Sequence, residues 1–417
     1  MLKRISKIWC SLGPGLITGA ADDDGSGILT YSIAGARFGP ANLWILFYIL
    51  PFMIAIQEMC ARIGALSGCG LAGNIKRYYP VWLLVPAALA LIIANVFGIG
   101  ADIYGMAGAM NLLFPLDVRV MAVIMSAVII VMVITLRYRQ IESIFKWLAM
   151  SLGVYVVALV VVQPDWMSLL WHTLIPTIRP DRNLLLVSFA MLGTTISPYL
   201  FFWQASQEAE DIRQDRPQLR ICKYRTVHRG VLANVDWDTR IGMIVSNIVA
   251  FGIIGLTATV LYSNGVRDVV TLRDAAEALR PLAGQYAFIL FAAGLIGSGL
   301  LAIPILAGSA AYVVAELMGW TASLDKPFNR ARQFYLVMVA AVAFGMILPF
   351  FGVTPVQALY WAAIVNGLVA PPLIMLIIHM SNNPAIVGPH RSRGIVHFLG
   401  IATVFFLLTG AIYVIIS

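Results

Sequence analysis

Long runs of apolar residues recur along this chain, and they are apolar on every side rather than along one stripe. Each is about 20 residues long, enough for a helix to cross a hydrocarbon layer about 30 Å thick. Strands of a membrane barrel would alternate apolar and polar residues, and these runs do not. The pattern predicts an all-α integral membrane protein. Its eleven predicted spans are residues 12–36, 42–65, 82–114, 118–136, 144–162, 184–209, 241–263, 284–318, 332–351, 355–379 and 396–416.

The composition supports this interpretation. Hydrophobic residues make up 60% of the 417 positions and charged residues only 12%, against about a quarter in soluble domains. The longest polar stretch, residues 208–240, is too short to fold as a soluble domain by itself. We therefore expect residues 1–417 to form a single transmembrane domain.

The net charge of +8 is distributed unevenly between the two sides that the predicted spans define. With the N-terminus in the cytoplasm, 21 of the 28 Lys and Arg residues fall on the inner side and 7 on the outer side. Such a bias orients membrane proteins, so we expect a cytoplasmic N-terminus and an extracytoplasmic C-terminus. The expected location is the inner (plasma) membrane. The basic excess is thus a topology signal, and the expected surroundings are a lipid bilayer rather than nucleic acid.

An acidic break interrupts the first predicted span near its middle. Three consecutive aspartates, Asp22–Asp24, are followed by Gly-Ser-Gly at residues 25–27. A carboxylate at this depth usually faces a cavity or a pathway, and glycine-rich backbone interrupts a helix readily. The interruption frees backbone carbonyls, which form an oxygen-rich cation site together with carboxylates. In the alternative interpretation the span starts later and the aspartates lie in a solvated loop.

A second break interrupts the sixth span near its middle, at Ser197 and Pro198. Proline removes a backbone donor and disfavours helix at the residue before it. Breaks at corresponding positions of two halves are typical of transporters with internal repeats. Because five spans form one repeat, the second repeat enters the membrane from the opposite side. We predict an inverted repeat of five plus five helices, about 12–162 and about 184–379, followed by an extra helix at about 396–416.

The residues around both breaks resemble the NRAMP family of divalent-metal transporters, which share the LeuT-like fold. "GPGLITGAADDDGSGILT" is similar to the family's first helix, with its GPG and DPGN patterns, and "GTTISPYLFF" to its sixth. "IQEMCARIGALSG", "AMNLLF" and "IVNGLVAPPLI" are similar to parts of helices two, three and ten. The resemblance covers most of the chain and implies a LeuT-like carrier of divalent metal ions.

The resemblance also implies a set of ion ligands, and here the sequence departs from the family. Asp24 falls on the metal-binding Asp of DPGN, whereas Gly27 replaces its ligand Asn. In helix six, Thr194 takes the position of the family's ligand Ala, and Ser197 takes that of its ligand Met. The candidate ion site therefore contains oxygen where the family has a thioether sulfur.

These replacements favour magnesium. Soft sulfur selects transition metals, whereas hard cations take oxygen ligands and water. Loss of the thioether and gain of hydroxyl oxygens therefore point away from manganese and iron. The smaller side chains also enlarge the site, which suits magnesium because this ion gives up its waters reluctantly. The pattern resembles the NRAMP-related magnesium transporter branch.

Most of the groups that couple transport to protons in the family are replaced. Tyr199 stands at the position of a helix-six His, and Ile92 and Ile99 stand at two acidic positions of helix three. The third acidic position is Asp102, which either lines a cavity or is a buried acid bonded to a polar neighbour. We therefore expect transport without proton coupling.

Further polar residues near the breaks are candidates for the site. Asn366 stands where the family has a site-lining Gln and either lines the site or links two helices. Asp23 adjoins Asp24 and is included among the candidate metal ligands. Successive helical residues point about 100° apart, so the three aspartates cannot all face one ion. Asp22 and Asp23 are alternatively expected to concentrate cations at the mouth of the site.

The inner half of the sixth span also carries polar residues. Gln204 and Gln207 are expected to line an inner vestibule. The acidic side chains of residues 208–211 are expected to form a solvated helix end.

The predicted function is Mg²⁺ uptake into the cytoplasm by alternating access, without proton coupling. The alternatives are a proton-coupled Mn²⁺ or Fe²⁺ transporter of the NRAMP type and a membrane metal sensor that does not transport. An enzyme is not expected, because no catalytic arrangement of His, Cys or Ser lies near the acidic break. The divalent ion is cargo and no cofactor is expected. The oligomeric state is open, and a monomer is compatible with the sequence.

The cysteines are scattered without metal-ligand spacing. We therefore expect neither a disulfide framework nor a zinc site. The four cysteines are Cys10, Cys60, Cys69 and Cys222.

Overall fold

The computed structural model describes residues 13–135, 152–178, 181–215, 222, 224, 226–392 and 394–416. Within these ranges all regular structure is helical. Cys10 and the basic residues Lys3, Arg4 and Lys7, which contribute to the predicted orientation, lie outside the described residues.

The described residues before position 178 contain the helices of the predicted first repeat. α1 and α2 are the two halves of the first span, and α7 is the described part of the fifth span, which otherwise lies outside the described residues. A 3-10 turn, Gly39–Asn42, connects α2 to α3. The helices are α1 (Pro14–Asp22), α2 (Gly25–Phe38), α3 (Leu43–Ser67), α4 (Leu71–Tyr78), α5 (Val81–Leu113), α6 (Val118–Thr135), α7 (Leu152–Val162) and α8 (Trp166–Leu174).

The remaining described residues contain the second repeat and the extra helix. α9 and α10 are the two halves of the sixth span, and a π-helical turn, Ala258–Tyr262, follows α11. Short 3-10 turns cover Gly284–Tyr286, Phe328–Arg330 and Leu348–Phe351. The helices are α9 (Arg182–Thr195), α10 (Pro198–Asp215), α11 (Arg229–Thr257), α12 (Leu272–Glu277), α13 (Arg280–Ala283), α14 (Ala287–Met318), α15 (Arg332–Gly345), α16 (Pro355–Asn382), α17 (Pro384–Val387) and α18 (Ile395–Ile416).

Nine helical stretches among the described residues are long and apolar enough to cross a membrane, and one of them, Gly25–Ser67, contains both α2 and α3. The protein is thus a multi-pass membrane protein, as predicted. The predicted start of the seventh span at residue 241 is wrong, because α11 begins at Arg229. Its polar first turns are held by ion pairs to α3, such as Arg62–Asp236, in which Arg62 Nη2 lies 2.7 Å from Asp236 Oδ2.

The two halves of the chain are packed into each other rather than side by side. α1 and α2 both contact α11, α3 contacts α10, and α5 contacts α14 and α16. Two of the contacts are backbone to backbone. A Cβ on Gly19 of α1 would lie 2.1 Å from the carbonyl oxygen of Gly242 of α11, and one on Gly64 of α3 would lie 2.1 Å from that of Ala205 of α10. Only glycine permits such close approach, which is a common way of packing membrane helices.

The prediction that the cysteines form no disulfide is wrong. Cys69, just after α3, is joined to Cys222, with their Cα atoms 5.0 Å apart and 153 positions between them in the sequence. Spacing along the chain cannot reveal such a pair, because it is the fold that brings Cys222 to α4, where its carbonyl oxygen accepts a hydrogen bond from Tyr78 at 3.0 Å. Cys60 is a buried free thiol.

Candidate metal-binding site

The first break lies at Asp23 and Asp24, directly before the Gly-Ser-Gly sequence rather than within it. α1 ends at Asp22, and α2 begins with Gly25. Asp24 caps α2, because its side chain accepts a hydrogen bond from the Gly27 amide at 2.9 Å, which satisfies one of the unpaired donors of a helix start. The interrupted helix is confirmed. The solvated-loop alternative is wrong, since Asp24 is only 4% exposed.

The second break is confirmed where the sequence predicts it. α9 ends at Thr195, and α10 begins at Pro198, a favoured residue for the first helical position. The hydroxyl of Ser197 donates to the carbonyl oxygen of Thr194 at 2.6 Å, with that of Gly193 at 3.2 Å. Ser197 thus satisfies carbonyls that the end of α9 leaves without helical partners.

The two breaks face each other through oxygen atoms. Ser26 Oγ donates to Asp24 Oδ1 at 2.6 Å and lies 3.2 Å from Thr194 Oγ1. A Cβ on Gly27 would lie 3.3 Å from both Thr194 Oγ1 and the carbonyl oxygen of Asp22. The structure therefore brings together Asp24, Gly27 and Thr194 of the candidate ligands, around a small space lined by carboxylate, hydroxyl and carbonyl oxygens.

Tyr199, in the first turn of α10, reaches across to the first break. Its hydroxyl donates to the carbonyl oxygen of Ala21 at 2.6 Å and lies 3.4 Å from Asp24 Oδ2. Ala21 is near the C-terminal end of α1, where backbone carbonyls carry the negative end of the helix dipole. The negative ends of α1 and α9 and the Asp24 carboxylate together favour a cation at the breaks.

Asp22 and Asp23 are both buried, with side chains 1% exposed. The expectation that they lie at an open mouth is therefore wrong. Asp22 turns to α11, where its Oδ2 accepts a hydrogen bond from Ser246 at 2.8 Å. The other oxygen of Asp22 and both oxygens of Asp23 have no well-formed hydrogen bond to any described residue. Whether Asp23 binds an ion stays a prediction.

Asp102, on α5, faces Gly25, the first residue of α2. It is 2% exposed, and a Cβ on Gly25 would lie 2.8 Å from its Oδ1. Neither carboxylate oxygen has a well-formed hydrogen bond among the described residues. Asp102 therefore adjoins the first break as a buried acid close to the backbone amides of Gly25 and Ser26, and both alternatives for its role stay predictions.

Ser197 and Asn366 take different positions relative to this space. Ser197 is bonded to the end of α9, as described above. Asn366 is buried on α16 beside Gly367, whose Cα would lie 2.9 Å from a Cβ on Gly193. The described hydrogen bonds of Asp24 and Thr194 do not involve Asn366, so its role as a ligand stays a prediction.

The expectation of a solvated end of α10 is wrong for Glu208 and Glu210, which are 4% and 6% exposed. Glu208 accepts a hydrogen bond from Gln204 at 3.0 Å, and Glu210 accepts bonds from the hydroxyls of Tyr312 and Ser323. The reason is that this end of α10 packs against α14. Asp211 is exposed, as expected.

The two glutamines of α10 are part of the same buried network. Gln204 accepts a hydrogen bond from Thr18 of α1, and Gln207 donates to Tyr312 at 2.9 Å. Both side chains are 0–1% exposed. They link helices, so the expectation that they line an open vestibule is wrong for this conformation.

Sequence reasoning missed three polar residues that shape the site. Ser26 bonds Asp24, Ser246 bonds Asp22, and Asp238 of α11 accepts hydrogen bonds from the amides of α1, those of Gly13 and Gly15, at 3.0 and 2.7 Å. Ser246 could have been found as a hydroxyl in an otherwise apolar run. Asp238 could not, because only the packing of α1 on α11 gives it a role.

The oxygen atoms at the two breaks form a small set of possible ion ligands. Among the described residues, no three His, Cys, Asp or Glu side chains are arranged to hold a metal ion. The oxygen atoms that meet at the breaks come from one carboxylate, two hydroxyls and freed backbone carbonyls.

Comparison with known proteins places this arrangement in a family. The model of the Nramp family, described as natural resistance-associated macrophage protein-like, matches residues 15–417. A relative, the divalent metal cation transporter MntH of Chromohalobacter salexigens, is 25% identical over 413 residues, which cover 97% of this chain and 90% of that protein.

Solved structures agree on the fold. The structure of an Eremococcus coleocola manganese transporter superposes with a TM-score of 0.74 at 18% identity, over 96% of this chain and 85% of that one. A Na⁺-coupled sialic acid symporter in a substrate-bound outward-open state gives a TM-score of 0.60 at 11% identity, over 96% and 89%. The chain therefore belongs to the Nramp family and has a LeuT-like inverted-repeat fold.

Proposed function

We propose that this protein carries hard divalent cations, Mg²⁺ first among them, into the cytoplasm by alternating access at the two facing breaks. The observation that carries the proposal is the oxygen lining of this space, with Asp24, Ser26 and Thr194 linked by hydrogen bonds and a Ser at position 197. Oxygen ligands match the preference of Mg²⁺. The related Nramp proteins named as divalent metal transporters support transport as the activity.

Transport in this proposal needs no proton. A divalent cation entering at an inside-negative potential of about 100 mV gains about 4.6 kcal/mol. This gain alone supports an accumulation of about a thousandfold or more. Tyr199, Ile92 and Ile99 supply no titratable group near neutral pH for a relay.

The test is uptake by liposomes that contain only this protein. Mg²⁺ entry is followed with an internal magnesium dye under an imposed potential, and a pH dye is read in parallel. We expect potential-driven Mg²⁺ entry without acidification of the lumen, and weak competition by equimolar Mn²⁺. Protein-free liposomes and liposomes with the Asp24→Asn variant are the controls.

A proton-coupled Mn²⁺ transporter is the second candidate, and a specific observation favours it. The relative from Chromohalobacter salexigens is named MntH, and the superposed Eremococcus coleocola protein is named a manganese transporter. Asp102, a buried acid beside the first break, is then the proton carrier. Mn²⁺ entry that outcompetes Mg²⁺ and acidifies the lumen, with the acidification lost in Asp102→Asn, would establish this candidate.

The same liposomes test the remaining alternative, a sensor that binds metal without moving it. Ion binding without flux under any imposed gradient would identify a sensor.

The proposed orientation, with the inner-side basic residues in the cytoplasm, rests on the distribution of Lys and Arg. A membrane-impermeant label applied to a cysteine introduced at exposed Gly265, between α11 and α12, checks it, because this position must react from outside the cell.

A further inference from the structure

The Tyr199 hydroxyl is bonded to an atom that the broken helix exposes for an ion. In an unbroken helix the carbonyl of Ala21 would accept the amide of residue 25, but α1 ends at Asp22. The hydroxyl donates to this carbonyl at 2.6 Å and lies 3.4 Å from Asp24 Oδ2. The shorter contact takes the proton, because hydroxyl bonds to oxygen are usually about 2.7–2.8 Å long.

The position of this hydroxyl is fixed by its ring. Tyr199 is 0% exposed and packs in an apolar cluster with Ile17 of α1, with Ile99 and Ile103 of α5, and with residues of α14. The ring cannot swing away without opening this cluster. The O–H bond, by contrast, rotates freely about the ring carbon, so the donated proton can be withdrawn while the oxygen stays in place.

A donated proton and a cation compete for the same carbonyl oxygen. Both are attracted to the negative end of the carbonyl dipole, and two positive partners on one oxygen repel each other. The other ligand of the break, Asp24, already receives hydrogen bonds at Oδ1 from Ser26 and Gly27. The Tyr199 bond therefore lowers the affinity of the break for a cation by about the value of one hydrogen bond.

We propose that the Tyr199 hydroxyl competes with the transported cation for the Ala21 carbonyl and so sets the ion affinity. The inference rests on the proposed function only in that a divalent cation binds at the first break, and it applies to Mg²⁺ and Mn²⁺ alike. When the ion arrives, the hydroxyl releases the carbonyl, and when the ion leaves, the hydroxyl takes the carbonyl back. Tyr199 is thus an affinity-determining residue that favours release.

The test compares ion binding by the full-length protein and Tyr199→Phe in nanodiscs, with Mg²⁺ and Mn²⁺ titrated separately by calorimetry. The substitution keeps the buried ring and removes the competing donor. We expect the Kd of the variant to fall about three- to tenfold, the effect of removing one hydrogen bond. In liposomes its KM should fall as well, without a rise in the maximum rate, because the ion is released more slowly.

Tyr155→Phe is the matched control. Tyr155 is also a buried tyrosine, at 2% exposure, and its hydroxyl has no hydrogen-bond partner among the described residues. The Kd of Tyr155→Phe for each cation should equal that of the wild type. A second variant, Tyr199→Leu, removes the same donor with a different side chain, and it must also lower Kd if the hydroxyl is the cause.

A higher Kd in Tyr199→Phe than in the wild type overturns the inference. If the phenol oxygen is a direct ligand, or if the hydroxyl holds the break in its binding shape, Tyr199→Phe binds the ion more weakly. An unchanged Kd overturns it as well. Failure of the proposed function gives a different result, because the wild type then binds neither cation in a manner that Asp24→Asn abolishes.

Discussion

Two carboxylates at the predicted inner end of the bundle have hydrogen-bonded partners, whereas two buried carboxylates at the first break lack them. Glu316 of α14 accepts the amides of Gly70 and Gly73, at the start of α4, at 2.8 and 2.7 Å. Glu58 of α3 bonds Arg240 of α11. At the break, in contrast, Asp23 and Asp102 make no well-formed hydrogen bond to a described residue.

The difference separates acids that fasten helices together from acids whose burial the fold alone does not explain. A buried acid with a helix start or an arginine as its partner fastens two helices together. A buried acid without a partner lowers stability, so its presence needs a reason other than folding. The cation of the proposed function would supply one, because it would satisfy the oxygen atoms while it is bound.

The largest expected effect is that of Asp24→Asn on transport. The amide can still accept the Gly27 hydrogen bond that caps α2, but it lacks the charge that attracts a divalent ion. Uptake should fall about a hundredfold or more, corresponding to about 3 kcal/mol for a lost buried charge partner. The initial uptake rate in liposomes measures it, with gel filtration and the melting temperature as checks of folding. Uptake near the wild-type rate would remove the break from the ion path.

Glu58→Ala should lower stability and leave ion binding unchanged, the opposite of what is expected for Asp24→Asn. It removes the carboxylate that Arg240 bonds, and the free energy of unfolding should fall by about 2 kcal/mol, a value reduced because Arg240 is half exposed. Ion affinity should stay unchanged. Denaturant unfolding in detergent measures the first quantity and calorimetry the second. Glu277→Ala, which breaks the exposed pair with Arg280, is the control and should change stability by less than about 0.5 kcal/mol.

The double variant Gly27→Asn with Ser197→Met sharpens the assignment of the break to hard cations. A Cβ at position 27 would lie 3.3 Å from two oxygens, so the Asn fits after a shift of a few tenths of an ångström. The added thioether favours softer ions. The ratio of Mn²⁺ to Mg²⁺ affinity should rise about tenfold, by about 1.4 kcal/mol. If competition binding shows the ratio of Mn²⁺ to Mg²⁺ affinity unchanged, the second break does not line the ion.

Asp23→Asn should change the unfolding free energy least, and the direction of this change is what distinguishes the two kinds of acid. Removing an unpartnered buried charge should raise the unfolding free energy by about 1 kcal/mol, while uptake falls. Asp22→Asn is the matched control, since the hydroxyl of Ser246 already bonds Asp22 and less stability is gained. A loss of stability in Asp23→Asn would mean that Asp23 is a structural acid like Glu58.

Most of the fold could be predicted from the apolar runs, because a helix that crosses a bilayer needs a long, uninterrupted apolar sequence. The tenth span, predicted at 355–379, is observed at Pro355–Asn382, and both breaks lie within two residues of the prediction. The start of α11 at Arg229 escaped prediction, because its first turns carry charges that resemble a loop until their partners on α3 are known.

The candidate site could be predicted in part, because polar residues stand out within apolar spans. Asp24 and Thr194 are unusual enough in apolar spans to be noticed from the sequence, and they are adjacent in the fold through Ser26. The partners of Glu210 lie more than 100 positions away, on α14 and after it. Such contacts depend on how helices cross, which composition does not encode.

The glycine contact between α1 and α11 has a mechanical consequence for the ion. Ala21, whose carbonyl faces Tyr199, lies only two residues after Gly19, which touches the backbone of Gly242. Coordination of a hard cation tolerates errors of a few tenths of an ångström, less than the thickness of one methyl group. At the proposed site, the distance from the Ala21 carbonyl to a bound ion would therefore depend on how closely two glycine backbones can meet, about half a helical turn away.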